Sequence, residues 1–165
     1  MRHFLQRCSC EELHSDMTEW QQFCTFFLKQ HCFGVPVEQV QEVMRYQEMT
    51  RVPLMPAAVR GLINLRGQIV MALDLRRRFD MEEKPATILP MNVVIRCDGG
   101  PISLLVDEIG DVLELKEEDL ERPPETIHGS ARELMRGVYQ LPDRLLMVLD
   151  CARVAALGLP GDNAR

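Results

Sequence analysis

The sequence predicts a mainly β fold in which two small barrels pack on each other. Ten prolines and ten glycines interrupt the 165 residues at short intervals, so few long helices fit between them. The stretches between these breaks are rich in apolar and β-branched residues, which is typical of strands in a barrel or sandwich. An internal repeat divides the chain into two related halves.

Seven short runs are predicted as strands. Two of them, residues 69–73 and 145–149, are apolar at every position, so we expect both of their faces to be buried. Short helices are predicted over residues 57–60 and over residues 151–157, the second with Asp150 as its N-cap. The predicted strands are residues 22–28, 32–37, 68–73, 91–96, 102–106, 111–115 and 144–149.

The repeat keeps one ungapped register. Residues 60–74 recur 76 residues later as residues 136–150, with Arg-Gly at the start, a methionine inside and Leu-Asp at the end of each copy. Upstream of each copy, residues 37–43 and 106–112 share the pattern V-acid-x-V/I-x-acid-V. A half of about 75 residues made of short strands cannot bury both faces alone, so we expect the halves to pack around a shared apolar layer.

Charge and hydropathy exclude several classes of partner. The chain has 19 basic and 25 acidic residues, a net charge of −6, and its basic residues are scattered apart from residues 76–78. No phosphate-binding face is visible, so nucleic acid is not a predicted partner. No stretch approaches the ~20 apolar residues of a membrane span, and the start lacks the apolar run of a secretory signal. We therefore expect a cytoplasmic protein that is not inserted in a membrane.

The cysteines do not predict a disulfide scaffold or a metal site. Six cysteines are too few for such a scaffold, and buried reduced thiols are the expected alternative. His3, Cys8, Cys10 and His14 could supply four zinc ligands, but Cys-x-Cys is not the spacing of a zinc knuckle. The alternative is an N-terminal extension whose thiols have no role. No metal and no cofactor is predicted.

Enzyme signatures are absent from the sequence. It contains no phosphate-binding loop, dinucleotide fingerprint, nucleophile elbow or His-Glu-x-x-His motif. His31 and His128 are the only histidines outside the N-terminal extension, and both fall in predicted turns or loops. Acidic groups such as residues 82–83 and 117–119 are interpreted as solvated charge, because a catalytic pair needs a pocket that shifts a pKa. No catalytic residue is predicted.

A polar turn, residues 64–67, interrupts the apolar run of the first repeat. Its Arg66 offers five donors and a stacking face, which suits a protein interface. The alternative is that Arg66 pairs with a carboxylate such as Asp74 and only ties the turn down.

The stretch GLINLRGQIVMALDLR, residues 61–76, resembles the G-V-x-N-L-R-G-x-I-x-P-V-x-D-L-R hallmark of the CheW family of chemotaxis coupling proteins. The similarity extends from about residue 21 to residue 159. It implies two five-stranded β-barrels related by pseudo-two-fold symmetry, with a few short helices. The implied division is a divergent extension at 1–20, a CheW-like domain at 21–160 and a tail at 161–165. Met71 stands where the family has proline, which restores a backbone donor.

The resemblance also implies a non-catalytic adaptor. Family members link the regulatory domain of a CheA-type histidine kinase to the cytoplasmic tip of methyl-accepting chemoreceptors, at membrane-associated receptor arrays. In the family a receptor helix lies in the groove between the barrels, a helix-in-groove mode of recognition. The matching positions are Val37, Val40, Glu42, Gly61, Asn64, Leu65 and Arg66.

Within that set, Val37 and Val40 would form apolar walls and Arg66 an anchor. The alternatives are that Val37 and Val40 are core residues and that Gly61 only satisfies a backbone conformation closed to other residues. A second functional reading is a CheW-fold module of a non-chemotactic pathway, such as pilus motility or surface sensing, or a fragment of a larger regulator. No receiver sequence follows the domain up to Arg165, which favours the stand-alone adaptor.

Overall fold

The structure is a computed structural model that describes residues 18–157, and most of its regular structure is β-strand. This range holds ten strands and three short α-helices. None of these helices is long and apolar enough to cross a membrane. The strands are β1 (Trp20–Leu28), β2 (His31–Pro36), β3 (Val40–Met44), β4 (Val59–Leu65), β5 (Gln68–Asp74), β6 (Met91–Cys97), β7 (Gly100–Val106), β8 (Glu108–Lys116), β9 (Met135–Gln140) and β10 (Leu145–Leu149), and the helices are α1 (Leu75–Arg78), α2 (Ser130–Glu133) and α3 (Cys151–Ala155).

The ten strands form two five-stranded sheets, and each sheet is built from both halves of the chain. The first sheet has the order β8-β1-β2-β10-β9, and the second has the order β3-β6-β7-β5-β4. At the centre of each sheet, hairpins from different halves meet in parallel, through β2 and β10 or through β7 and β5. The predicted mainly β fold with two five-stranded units is confirmed, but the ladders are open sheets and not closed barrels.

The two copies of the repeat occupy equivalent places in the two sheets. One copy forms the β4–β5 hairpin and the other forms the β9–β10 hairpin. The aspartates that end the copies, Asp74 and Asp150, cap α1 and α3 by accepting hydrogen bonds from the backbone N–H of Arg77 at 3.3 Å and Arg153 at 3.1 Å. The predicted helix after Asp150 is therefore confirmed, and it ends at Ala155.

The repeated glycines allow a close backbone approach at the edge of each sheet. A Cβ at Gly61 would lie 2.6 Å from the carbonyl oxygen of Thr50, and one at Gly137 would lie 2.7 Å from that of Glu121. These carbonyls belong to isolated bridges that pair Thr50 with the strand β4 and Glu121 with the strand β9. A side chain at either glycine would push the bridging segment away from its strand.

The predicted helix at residues 57–60 is wrong, because strand β4 begins there. Val59 pairs with Leu73 of β5, and the ladder continues to the turn at the other end of both strands. Ala57 and Ala58 favour a helix locally, but the hydrogen bonds of the ladder outweigh that weak preference. Strands β3 and β9 also lie outside the runs predicted as strands.

A central apolar layer lies between the sheets, and a smaller cluster packs on the other face of each. Alternate residues of β10 face different clusters: Met147 and Leu149 belong to the central layer, and Leu146 and Val148 belong to the cluster of the first sheet. Burial on both faces is confirmed for this run except at the exposed Leu145. For residues 69–73 it is wrong at Ile69, which is 61% exposed, and Met71 is only half-buried. Large members of the central layer are Phe26, Phe33, Leu73, Leu75, Ile95 and Leu104.

A polar clamp also joins the two sheets, on the carboxylate of Asp107 between β7 and β8. It accepts hydrogen bonds from Nε of Arg76 at 2.8 Å and from the backbone N–H of Lys29 at 2.8 Å. The side chains of Arg76 and Asp107 are only 12% and 13% exposed. Burial raises the pKa of Asp107, but the hydrogen bonds and the charges of Arg76 and Lys84 outweigh it, so the pKa lies below its usual value.

Candidate partner-binding site

The β4–β5 hairpin ends in the two-residue loop Arg66-Gly67. Both residues have positive φ, 53° at Arg66 and 84° at Gly67, as expected for a type I′ hairpin turn. Asn64 stabilises the loop, because its Oδ1 accepts a hydrogen bond from the backbone N–H of Gly67 at 2.9 Å. The predicted turn at residues 64–67 is thus a two-residue hairpin turn that presents the Arg66 side chain to solvent.

Arg66 is paired with Glu42 of β3. The guanidinium Nη2 lies 2.9 Å from Oε1 of Glu42, and the two side chains are 80% and 24% exposed. The alternative, that Arg66 pairs with a carboxylate, is confirmed, but the partner is Glu42 and not Asp74, which contacts Arg60 at 3.6 Å and caps α1. β3 and β4 are the terminal strands of the second sheet, so this ion pair spans the gap between its two edges.

An ion pair this exposed contributes little to stability, in the range of about 0–1 kcal/mol. Its main effect is on position: Glu42 holds one side of the guanidinium, and most of the Arg66 side chain stays open to solvent. Arg66 therefore keeps donors for a further partner.

Val37 and Val40 lie where the two sheets meet. Val37 starts a 3-10 turn, Val37–Gln39, and the backbone N–H of Val40 donates to the carbonyl of Val37. Both side chains are half-buried against the central layer. They pack against the core on one side and are open to solvent on the other, so part of their apolar surface stays available to a partner.

A cleft of about 380 Å³ adjoins Val37. It lies between the edge of the first sheet, at β1 and β8, and the 3-10 turn that leads into β3 of the second sheet. Its lining residues are Trp20, Gln21, Gln22, Val37, Glu38 and Glu114.

Trp20 lines this cleft and is a candidate contact residue that the sequence analysis does not predict. It is the only tryptophan of the chain, 57% exposed, with Nζ of Lys116 at 5.4 Å from its ring centre. Exposed tryptophans are enriched among residues that dominate binding energy. The predicted first strand begins at residue 22 and excludes Trp20, although a lone tryptophan just before an apolar run is a sequence signal for a contact residue.

The remaining predicted residues, Gly61 and Leu65, are less accessible. Gly61 is buried against Thr50, and the close approach of that carbonyl explains the glycine on structural grounds. Leu65 packs on the apolar cluster of the second sheet. The structure thus joins Glu42 and Arg66 directly, sets Val37 and Val40 just before Glu42 on the chain, and gives Gly61 a separate structural role.

The thiols of the described residues are poor nucleophiles. Burial raises the pKa of Cys24, Cys32 and Cys97, and it raises that of Cys151 to about 12. Thiols with raised pKa values stay protonated and react slowly. Within residues 18–157, no group of three or more His, Cys, Asp or Glu side chains could hold a metal ion. The zinc candidates of the N-terminal extension, residues 3–14, lie outside the described range.

Comparison with known proteins finds one family. The family model for the CheW-like domain matches residues 22–157. The chain is 30% identical over 135 residues to the chemotaxis protein CheW of Treponema pallidum, covering 78% of each protein. It is 30% identical over 137 residues to the chemotaxis protein CheW of Klebsiella aerogenes, covering 83% of this chain and 82% of the relative. The fold is similar to the crystal structure of the scaffolding protein TtCheW from Thermoanaerobacter tengcongensis, with a TM-score of 0.74 at 23% identity, covering 82% of this chain and 92% of that one.

Proposed function

Since the chain belongs to the CheW-like domain family, we propose that it is a non-catalytic adaptor that couples methyl-accepting chemoreceptors to a CheA-type histidine kinase. The names of its relatives, chemotaxis and scaffolding proteins, support this role. The observation that carries it is the exposed Arg66 guanidinium, which pairs with Glu42 at the tip of the β4–β5 hairpin. The adaptor would act in the cytoplasm at membrane-associated receptor arrays.

The receptor's helical tip would bind across the junction of the two sheets. Val37 and Val40 offer half-buried apolar surface there, and Trp20 lines the adjoining cleft. Arg66 would hydrogen-bond to a carboxylate or backbone carbonyl of the receptor helix. This is helix-in-groove recognition with apolar walls and a polar anchor. The kinase regulatory domain would bind on a different surface, so the two partners can be tested separately.

Isothermal titration calorimetry with the receptor tip and the kinase regulatory domain from the same organism tests this proposal. Arg66→Glu is expected to weaken receptor binding at least tenfold, which is ~1.4 kcal/mol, and to leave kinase binding within twofold. The matched control is Arg144→Glu, at the tip of the equivalent β9–β10 hairpin, where Arg144 also pairs with a carboxylate. That control should bind the receptor as the wild type does.

A charge swap separates recognition from simple support of the turn. The double variant Glu42→Arg with Arg66→Glu restores an ion pair but reverses its direction. If receptor binding recovers to within twofold of the wild type, Arg66 acts only through the ion pair and the anchor role is wrong. Trp20→Ala tests the cleft in the same assay and should weaken receptor binding about tenfold, as for a buried aromatic contact. A wild-type chain that binds neither partner contradicts the adaptor proposal as a whole.

A further inference from the structure

An apolar pocket of about 440 Å³ opens at one end of the first sheet, and the proposed adaptor role does not use it. It is lined by Phe33 of β2 and Met147 of β10, which pair in the sheet and belong to the central layer. The ring of Phe79, just after α1, also lines it and stacks on Phe33 with 5.0 Å between ring centres. Ile127 before α2 and Ala131 within α2 add further apolar surface. This volume and lining are typical of small-molecule sites.

Three methionines give this pocket an adaptable lining. Met135 and Met147 are nearly buried, Met81 is half-buried, and all three contribute to the pocket. Methionine side chains are unbranched and polarisable, so they fit closely around an alkyl chain. Leu145, also in the lining, is 39% exposed. The pocket therefore brings apolar surface that is continuous with the core into contact with solvent, which is typical of a ligand-binding surface.

The longer polar side chains of the pocket lie together at one rim. Gln30 and His31 stand where β2 begins, and Arg144 stands just before β10. These two strands run parallel, with Cys32 opposite Leu146, so the residues that precede them are neighbours as well. Each of the three side chains can donate a hydrogen bond. The pocket thus has donors at one end and apolar surface over the rest.

The charge at this rim favours an anion. Arg144 is 42% exposed, and its Nε and Nη2 donate to the carboxylate of the neighbouring Asp143. Its Nη1 makes no hydrogen bond within residues 18–157, so one edge of the guanidinium remains available. Asp143 lowers the net charge at the turn, but neither it nor any other described aspartate or glutamate lines the pocket. In contrast, the cleft beside Val37 contains two glutamates.

We propose that this pocket binds a free, unbranched aliphatic carboxylate, a medium-chain fatty acid. The alkyl chain lies against Phe33 and Met147, and the carboxylate accepts hydrogen bonds from Nη1 of Arg144 and from His31. A fatty acid carries its polar atoms at one end only, as the pocket does. A peptide matches less well, because every backbone N–H that it buries needs an acceptor and the apolar lining offers none. The pocket lies on the first sheet, apart from Arg66 on the second, so this inference does not depend on the proposed receptor site.

Nuclear magnetic resonance of the full chain, isotopically labelled at its methionine methyl groups, tests the proposal with sodium octanoate as the probe. The signals of Met81, Met135 and Met147 should shift saturably at millimolar octanoate. Those of Met44 and Met49, which pack on the outer cluster of the second sheet, should not. Acetate has the carboxylate without the chain and should cause no saturable shift. Octanol has the chain without the charge and should bind about fivefold more weakly, the contribution of one exposed ion pair.

Two variants locate the binding. Arg144→Gln removes the charge at an exposed turn and should weaken octanoate about fivefold while leaving octanol unchanged. The matched control, Arg96→Gln, changes an exposed arginine of β6 outside the pocket and should leave both ligands unchanged. Ala131→Leu fills the pocket with a larger side chain and should prevent the binding of both ligands, with its melting temperature measured in parallel.

Several outcomes would overturn the proposal. One is the absence of saturable methionine shifts in the wild type at millimolar octanoate. Another is an unchanged octanoate affinity in Arg144→Gln, which decides the matter even if Ala131→Leu fails to fold. Equal affinities for octanoate and octanol would show that the rim does not recognise a carboxylate. If the receptor tip or the kinase regulatory domain shifts these methionine signals and octanoate does not, the pocket is a protein-docking surface and the proposal is wrong.

Discussion

Replacing Asp107 by asparagine should unfold the chain more easily, because this carboxylate neutralises a guanidinium between the sheets. Asparagine keeps the shape and can still accept from Arg76 and from the Lys29 backbone, but it leaves the charge of Arg76 buried without its counter-charge. Removing one partner of a buried pair costs about 3–5 kcal/mol. Since both side chains keep a little exposure and one acceptor remains, we expect a loss of about 2–3 kcal/mol for Asp107→Asn.

Urea denaturation at pH 7 measures this loss, with Asp143→Asn as the control. Asp143 also pairs with an arginine, Arg144, but at the exposed tip of the β9–β10 hairpin, so its replacement should leave the unfolding midpoint unchanged. The Arg76→Met/Asp107→Leu double variant removes both charges and should lose less stability than Asp107→Asn alone.

The same pair predicts a pH dependence. The folded state lowers the pKa of Asp107, so the stabilisation is complete above the unfolded-state pKa and is lost as the pH falls through the lower folded-state pKa. The difference between wild type and Asp107→Asn should therefore be constant at neutral pH and shrink below about pH 4. A loss of less than about 0.5 kcal/mol at pH 7, or a difference that persists unchanged into strong acid, would refute the reasoning.

Three further predictions concern the repeat and the thiols. Gly61→Ala and Gly137→Ala should each lower the free energy of unfolding by about 2 kcal/mol, whereas Gly99→Ala, whose Cβ meets open space, should not; equal urea midpoints for all three would contradict the close-approach argument. Asp150→Ala removes the N-cap of α3 and should cost about 1 kcal/mol in the same assay. The thiol of Cys151, with a pKa of about 12, should react with iodoacetamide at pH 8 more than about a hundredfold slower than free cysteine, as followed by mass spectrometry; a comparable rate would show that the thiol is accessible.

The internal repeat was the most informative signal for the fold. Its conserved positions have physical causes in the structure: Gly61 and Gly137 admit a bridging carbonyl, and Asp74 and Asp150 cap the helices that follow. A repeat shows which residues of the two halves are equivalent. It does not show which strand of one half pairs with which strand of the other. The pairing of β1 with β8 depends on long-range packing that neither segment encodes alone.

The candidate site was predictable only where it depends on local sequence. The turn around Arg66 has a local signature, because Asn64 and Gly67 are typical turn residues. The ion-pair partner was not predictable, since Glu42 becomes a neighbour only when the sheet curls and brings its terminal strands together. Arg66 pairs with Glu42 and not with Asp74 because the tertiary structure brings Glu42 close to it.

The exchange of strands between the halves has a consequence for how the chain folds. β1 and β2 emerge from the ribosome first, yet their sheet is incomplete until β8, β9 and β10 have been made. Four of the eight strand pairings join strands that are not consecutive in the chain, and such a topology slows folding. Neither half contains all the strands of one sheet. We therefore expect that a chain truncated between β5 and β6 would not form a complete sheet. Because each sheet needs strands from both halves, we expect the surfaces on the two sheets to be lost together when either half is removed.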